Sequence, residues 1–137
     1  MAAATIIAPS FAFAKGNKEI GLQLYSLRDE LPKDVKGVIE KGAAAGYKEV
    51  ETYGYGDGKF FGLTIAEFKN LLKANGLKAA SGHYGMDQFS KTGKTDALKA
   101  DMEACAILGG EYFTIAGAHV DMNKGIDAFK KVANDFN

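Results

Sequence analysis

Two histidines, one carboxylate and a small set of aromatic side chains are where this sequence could do chemistry. His83 and His119 are the only histidines in the chain, and both follow short apolar runs: Leu77 to Ser81 in one case, Tyr112 to Ala116 in the other. A histidine there could serve as a general acid or base, donate a hydrogen bond to a substrate, or ligate a metal. The plainer alternative is a loop imidazole bonded to backbone. Glu51 could act as a base or hold a sugar hydroxyl, or it could simply pair with a lysine at a strand end. Gln23 and Tyr25 follow the first apolar run and Tyr53 ends the second. The two tyrosines could stack on a sugar ring, although a core role would also account for them. Cys105 is the single cysteine, so no disulfide within the chain is possible. Its helical spacing with Leu98, Met102 and Leu108 reads as a core hydrophobe, not a reactive thiol. No Ser/His/Asp triad can be recognised by spacing alone.

The elements that must position these groups repeat. Lys18, Lys48 and Lys78 recur every 30 residues, and Glu111 follows 33 residues after Lys78. A period of about 30 residues built from strand, loop and helix is one βα unit. The predicted strands are Ile20–Tyr25, Glu49–Tyr53, Leu77–Ser81 and Tyr112–Ala116. The second should alternate, with Val50 and Thr52 on one face and Glu49, Glu51 and Tyr53 on the other. Asp34 can cap a helix from Val35 to Ala45, closed by Gly46. Within it, Gly42 reads as a close approach to the sheet. Thr64-Ile65-Ala66-Glu67 is a capping box that opens a helix burying Ile65, Phe68, Leu71 and Leu72. A third helix is expected over Asp96–Leu108, capped by Thr95. A fourth, capped by Asn123 or Asp121, carries Ile126, Phe129, Val132, Ala133 and Phe136. The glycine-rich stretch 54–62 lacks the order of a P-loop and reads as a mobile loop above the strand ends. A polar loop is expected over 87–94.

Strands alternating with helices imply an α/β fold: four consecutive βα units with parallel strands, half of a TIM (β/α)8 barrel, which needs about 250 residues. Ligands of such folds bind at the carboxyl ends of the strands, where Gln23, Tyr25, Glu51, Tyr53, His83 and His119 all fall. Such a half-barrel should expose two unpaired sheet edges and an apolar face, and so self-associate. The 17 basic and 17 acidic residues balance, which gives no reason to expect nucleic acid or a membrane as partner. Residues 1–14 are apolar and end in Ala12-Phe13-Ala14, the small-x-small pattern of a signal-peptidase site, although no basic n-region precedes it. They read as the remnant of an export signal, with residues 15–137 as the folded domain. A periplasmic or secreted location is the expectation, and a cytoplasmic one the alternative.

Ile20-Gly21-Leu22-Gln23-Leu24-Tyr25-Ser26-Leu27-Arg28-Asp29, Ala45-Gly46-Tyr47-Lys48-Glu49-Val50-Glu51, Asn75-Gly76-Leu77-Lys78-Ala79 and Ser81-Gly82-His83 together resemble the opening half of the sugar phosphate isomerase/epimerase family, the xylose isomerase-like TIM barrels. The resemblance covers about residues 18–137. It implies a metal-dependent enzyme acting on a sugar or sugar phosphate, moving a proton between adjacent carbons through an enediolate. Glu51 and His83 match positions lining the substrate pocket and would be the catalytic pair. Gln23, Tyr25, Tyr53 and His119 would bind substrate. The divalent metal (Mn, Mg, Co or Zn) takes its ligands in this family from strands five to eight, beyond this sequence, so no metal ligand is expected here. The chain then reads as a fragment of a longer enzyme, inactive alone. Two alternatives remain. One is a non-catalytic half-barrel that binds a small carbohydrate. The other is a relative of the endonuclease IV-type barrels, which place zinc-binding histidines on strands 3 and 4.

Overall fold

A computed structural model describes residues 19–117, 123 and 125–135. The proposed export remnant and His119 lie outside these residues, as do Asp121 and Phe136. Four parallel strands form the main sheet: β1 (Gly21–Gln23), β2 (Glu49–Thr52), β6 (Lys78–Tyr84) and β7 (Tyr112–Ile115), in the order β1-β2-β6-β7. Between them run α1 (Val35–Ala44), α2 (Ile65–Ala74), a short α3 (Asp87–Thr92) and α4 (Asp96–Leu108), and α5 (Gly125–Asp135) follows β7. Backbone bonds from Lys48 N to Ile20 O and from Lys78 N to Lys48 O tie the strand starts together at 3.1 and 3.0 Å. This is the expected run of four βα units.

The helices form where local chemistry asks for them. Asp34 accepts from Gly37 N at 2.8 Å and caps α1, which buries Ile39 and Gly42. A Cβ on Gly42 would stand 3.3 Å from Leu22 Cδ2, so glycine lets α1 lie close on β1. The capping box of α2 is complete: Glu67 N donates to Thr64 Oγ1 at 3.2 Å, and Thr64 N donates to Glu67 Oε2 at 2.8 Å. That helix buries Phe68 and Leu72. Thr95 stands before α4 but makes no side-chain cap. Cys105 is buried in α4 as expected, whereas Met102 is turned to solvent.

Other expectations need correction. The first strand is shorter than Ile20–Tyr25: after Gln23 the backbone turns into a single 3-10 turn, Leu24–Leu27. Gln23 itself caps that turn, accepting from Tyr25 N at 2.8 Å. The stretch 54–62 is not a loop. With Leu63 and Thr64 it folds into an antiparallel three-stranded sheet, β3 (Tyr55–Gly56), β4 (Lys59–Phe60) and β5 (Leu63–Thr64). Its glycines supply positive φ at Gly54, Gly58 and Gly62, where other residues would be strained. Phe60 anchors the small sheet, fully buried and stacked on Phe68 at 5.0 Å. Finally, residues 87–92 of the predicted polar loop are α3, which ends at Gly93 in the left-handed region.

The core lies between the main sheet and its helices, around Leu24, Leu31, Ile39, Val50, Phe60, Phe68, Leu72 and Ala104. Each large side chain removed from water there contributes about 1.5–3 kcal/mol. The opposite face was expected to be apolar. Among the described residues it carries Gly21, Gln23, Glu49, Glu51, Ser81, His83 and Thr114 instead, with Tyr112 largely exposed.

Candidate functional site

One extra residue builds the site. Val50 pairs with Ala79, but Glu51 pairs with Ser81, so Ala80 is a bulge in β6. Side chains alternate along a strand, and a one-residue slip exchanges the two faces. Without the bulge, Ser81 and His83 would point into the helix layer. With it they share Glu51's face, while Gly82 and Tyr84 turn inward. Tyr84 then stacks flat on Phe113 at 4.5 Å, above Gly82, where no Cβ would fit.

The result is a polar cluster across three strands. Gln23 Nε2 donates to Glu51 Oε1. Ser81 Oγ donates to Glu51 Oε2 at 2.5 Å. His83 Nε2 stands 3.2 Å from Glu51 Oε1, with the two side chains 30% and 25% exposed. This is half-buried, so the pair is partly shielded from solvent yet open to a ligand. An ionised carboxylate only accepts, and both oxygens of Glu51 meet donors.

His83 also lines a cleft of about 380 Å³ with Tyr25, Tyr53, Gly54, Gly85, Asp87 and Gly117. Tyr25 and Tyr53 meet edge to face at 5.2 Å, and Phe61 supports Tyr53 from behind at 5.0 Å. Arg28 lies over the Tyr25 ring at 5.1 Å. Burial raises the phenol of Tyr53 above its ordinary range, Tyr25 and Asp29 add to this, and Arg28 opposes it. The Tyr53 ring therefore offers a neutral face and hydroxyl at neutral pH.

Of the residues expected at the site, Gln23, Glu51 and His83 come into contact, and Tyr25 and Tyr53 form the cleft wall beside them. Tyr25 reaches it from the 3-10 turn and His83 from within β6, not from a loop after it. Ser81 was not foreseen. Its signal is its position two residues before His83, on the same strand face. Among the described residues no group of three His, Cys, Asp or Glu side chains could hold a metal ion, and Glu51 and His83 are committed to each other. The described residues therefore do not make a metal site.

The chain has the α/β fold of TIM-barrel-like isomerase/epimerase structures. It is similar to two solved structures of sugar phosphate isomerase/epimerases from Parabacteroides distasonis ATCC 8503. One is 30% identical, with 88% of this chain and 48% of that one covered and a TM-score of 0.66. The other is 24% identical, with 91% and 47% covered and a TM-score of 0.65. The chain spans about half the length of each. No protein-family model and no curated protein matches it.

Proposed function

We propose that this chain supplies four βα units and one wall of the substrate pocket of a sugar or sugar phosphate isomerase/epimerase. The supporting observation is the Glu51–His83 pair at the carboxyl ends of β2 and β6, beside the paired rings of Tyr25 and Tyr53. Aromatic faces pack against the C–H faces of a sugar ring, and the polar pair lies where a hydroxyl or a carbon next to a carbonyl would sit. The reaction class is proton transfer between adjacent carbons through an enediolate, with His83 and Glu51 as the working pair and Tyr25 and Tyr53 holding substrate. The divalent metal that the resemblance implies would take its ligands from outside the described residues.

The test is titration of aldoses, ketoses and their phosphates into the 15N-labelled chain, followed by NMR. Saturable shifts at Gly54, His83 and Gly85, lost in Tyr53→Ala, are expected. Absence of any saturable shift at tens of millimolar sugar would remove the sugar-pocket reading.

A further inference from the structure

The polar cluster divides the labour between its two central residues. We infer that Glu51 is a positioning residue, fixed by Gln23 and Ser81, and that the working atom of the site is Nδ1 of His83. This rests on the sugar-pocket reading for its substrate but not for its geometry.

A general base needs a free lone pair aimed at the proton it takes. Glu51 has at most one: of the four lone-pair sites a carboxylate offers, three face donors, and the cleft that His83 lines is not lined by Glu51. Oε1 is engaged by Gln23 and His83, and Oε2 by Ser81. These donors come from β1 and β6, the two strands flanking β2, so the carboxylate is clamped from both sides. Gln23 is itself held, because its Oε1 accepts from Tyr25 N at 2.8 Å. That orients its amide with the NH2 group toward Glu51.

The consequence falls on His83. A carboxylate can only accept, so the ring nitrogen facing it must carry the proton. Nε2 is that nitrogen. In the neutral imidazole, Nδ1 is then a bare acceptor, and the ring lines the cleft beside the tyrosines. Nδ1 can take the proton from a sugar carbon next to the carbonyl. The C–H electron pair moves into the enediolate, and the imidazolium that forms is compensated by Glu51. Within the enediolate the hydroxyl proton passes to the former carbonyl oxygen, and return of the proton from Nδ1 to the former carbonyl carbon restores the neutral ring. Ser81 and Gln23 act through Glu51 and touch no substrate in this scheme.

Long-range 1H–15N NMR on the 15N-labelled chain reads the neutral tautomer of each histidine directly, and His119 is the only other one. Wild-type His83 should be wholly Nε2–H. Glu51→Ala should let a visible Nδ1–H population appear, as in free imidazole. Ser81→Ala and Gln23→Ala should each do so to a smaller extent, and Glu51→Gln, which keeps an acceptor oxygen, should restore most of the Nε2–H form. An Nδ1–H tautomer in the wild type would overturn the inference. So would an unchanged tautomer in Glu51→Ala whose amide spectrum shows it folded. Should Glu51→Ala not fold, the two milder variants decide: an unchanged tautomer in both would overturn the clamp. Sugar titration separates the two proposals. A clamped Nε2–H tautomer with no sugar-dependent shift would sustain the positioning role and remove the sugar pocket, and sugar shifts with an unclamped ring would do the reverse.

Discussion

At the scale of single residues, the bulge at Ala80 has a cost on the helix side of β6 that two substitutions can measure. Tyr84 is turned inward, only 5% exposed, and among the described residues its hydroxyl has no hydrogen-bond partner of good geometry. Burial chiefly pushes its phenol well above the ordinary value of 10.0, Cys105 adds to this, and Thr52 opposes it. Above about pH 10 the unfolded chain loses this proton before the folded one does, so the unfolded state then binds fewer protons and stability falls as pH rises. Tyr84→Phe removes both penalties. At neutral pH it should be neutral or stabilising by about 1 kcal/mol, since an unsatisfied buried hydroxyl costs about 1–3 kcal/mol. Its loss of stability above pH 10 in urea titrations should be shallower than that of the wild type. Gly82→Ala should do the opposite. A Cβ there would lie 2.5 Å from the Tyr84 ring and 2.8 Å from Thr52 Oγ1, and Phe113 blocks the ring from moving away. Overpacking of this kind costs about 1–3 kcal/mol, measurable as a lower urea midpoint. An unchanged midpoint would mean that the ring is not packed over Gly82. His83 and Glu51 could be picked out from the sequence because they stand at the ends of apolar runs. Their contact could not, because it depends on one extra residue in β6 that shows only against the neighbouring strand.

At the scale of elements, legibility followed local signals. α1 and α2 announce themselves by a capping side chain and a periodic apolar face, both contained within a few residues. Thr64→Ala should lower stability by about 1 kcal/mol, the usual worth of a threonine cap. Its effect should shrink in acid. The Thr64 hydroxyl and backbone N–H hold Glu67 below its ordinary range, so the bond it makes is fully present above the unfolded carboxyl value and lost as pH falls through the folded one. Thermal melts of both proteins at neutral pH and near pH 3 would show the difference, and an equal gap at both pH values would mean that the box is not formed. The stretch 54–64 misled because its glycines look like loop residues. They are turn residues of a small sheet whose hydrophobic member, Phe60, packs on α2 across residues distant in the pattern. Phe60→Ala therefore discriminates: a residue in a mobile loop would cost almost nothing, whereas this one should cost about 3–5 kcal/mol in urea unfolding. α3 was missed for the related reason that six polar-rich residues carry no periodic face to read.

At the scale of the whole molecule, the sheet formed by the described residues is open. Among the described residues β1 and β7 each have one neighbour, and the solved structures that the chain matches are about twice as long. A closed barrel places its reacting atoms between strand ends that face each other across the axis. Here the strand ends of one side carry the Glu51–His83 pair and the tyrosines, and nothing among the described residues faces them from across an axis. The sheet face that carries the pair is polar, and among the described residues the cleft beside it has no far wall. Proton transfer through an enediolate demands that the developing charge be held by preorganised groups in a dry site. The purified 137-residue chain should therefore bind sugars weakly and turn none of them over. The measurement is proton NMR of aldoses and ketoses incubated in D2O with the chain and Mn, Mg, Co or Zn, following loss of the signal from the carbon next to the carbonyl. No exchange above the rate of metal alone is expected, and chelation with EDTA should leave the melting temperature unchanged, because the described residues hold no metal site. Metal-dependent exchange abolished by His83→Ala would overturn this prediction, because it would mean that four βα units suffice, alone or by pairing their free edges with a second copy.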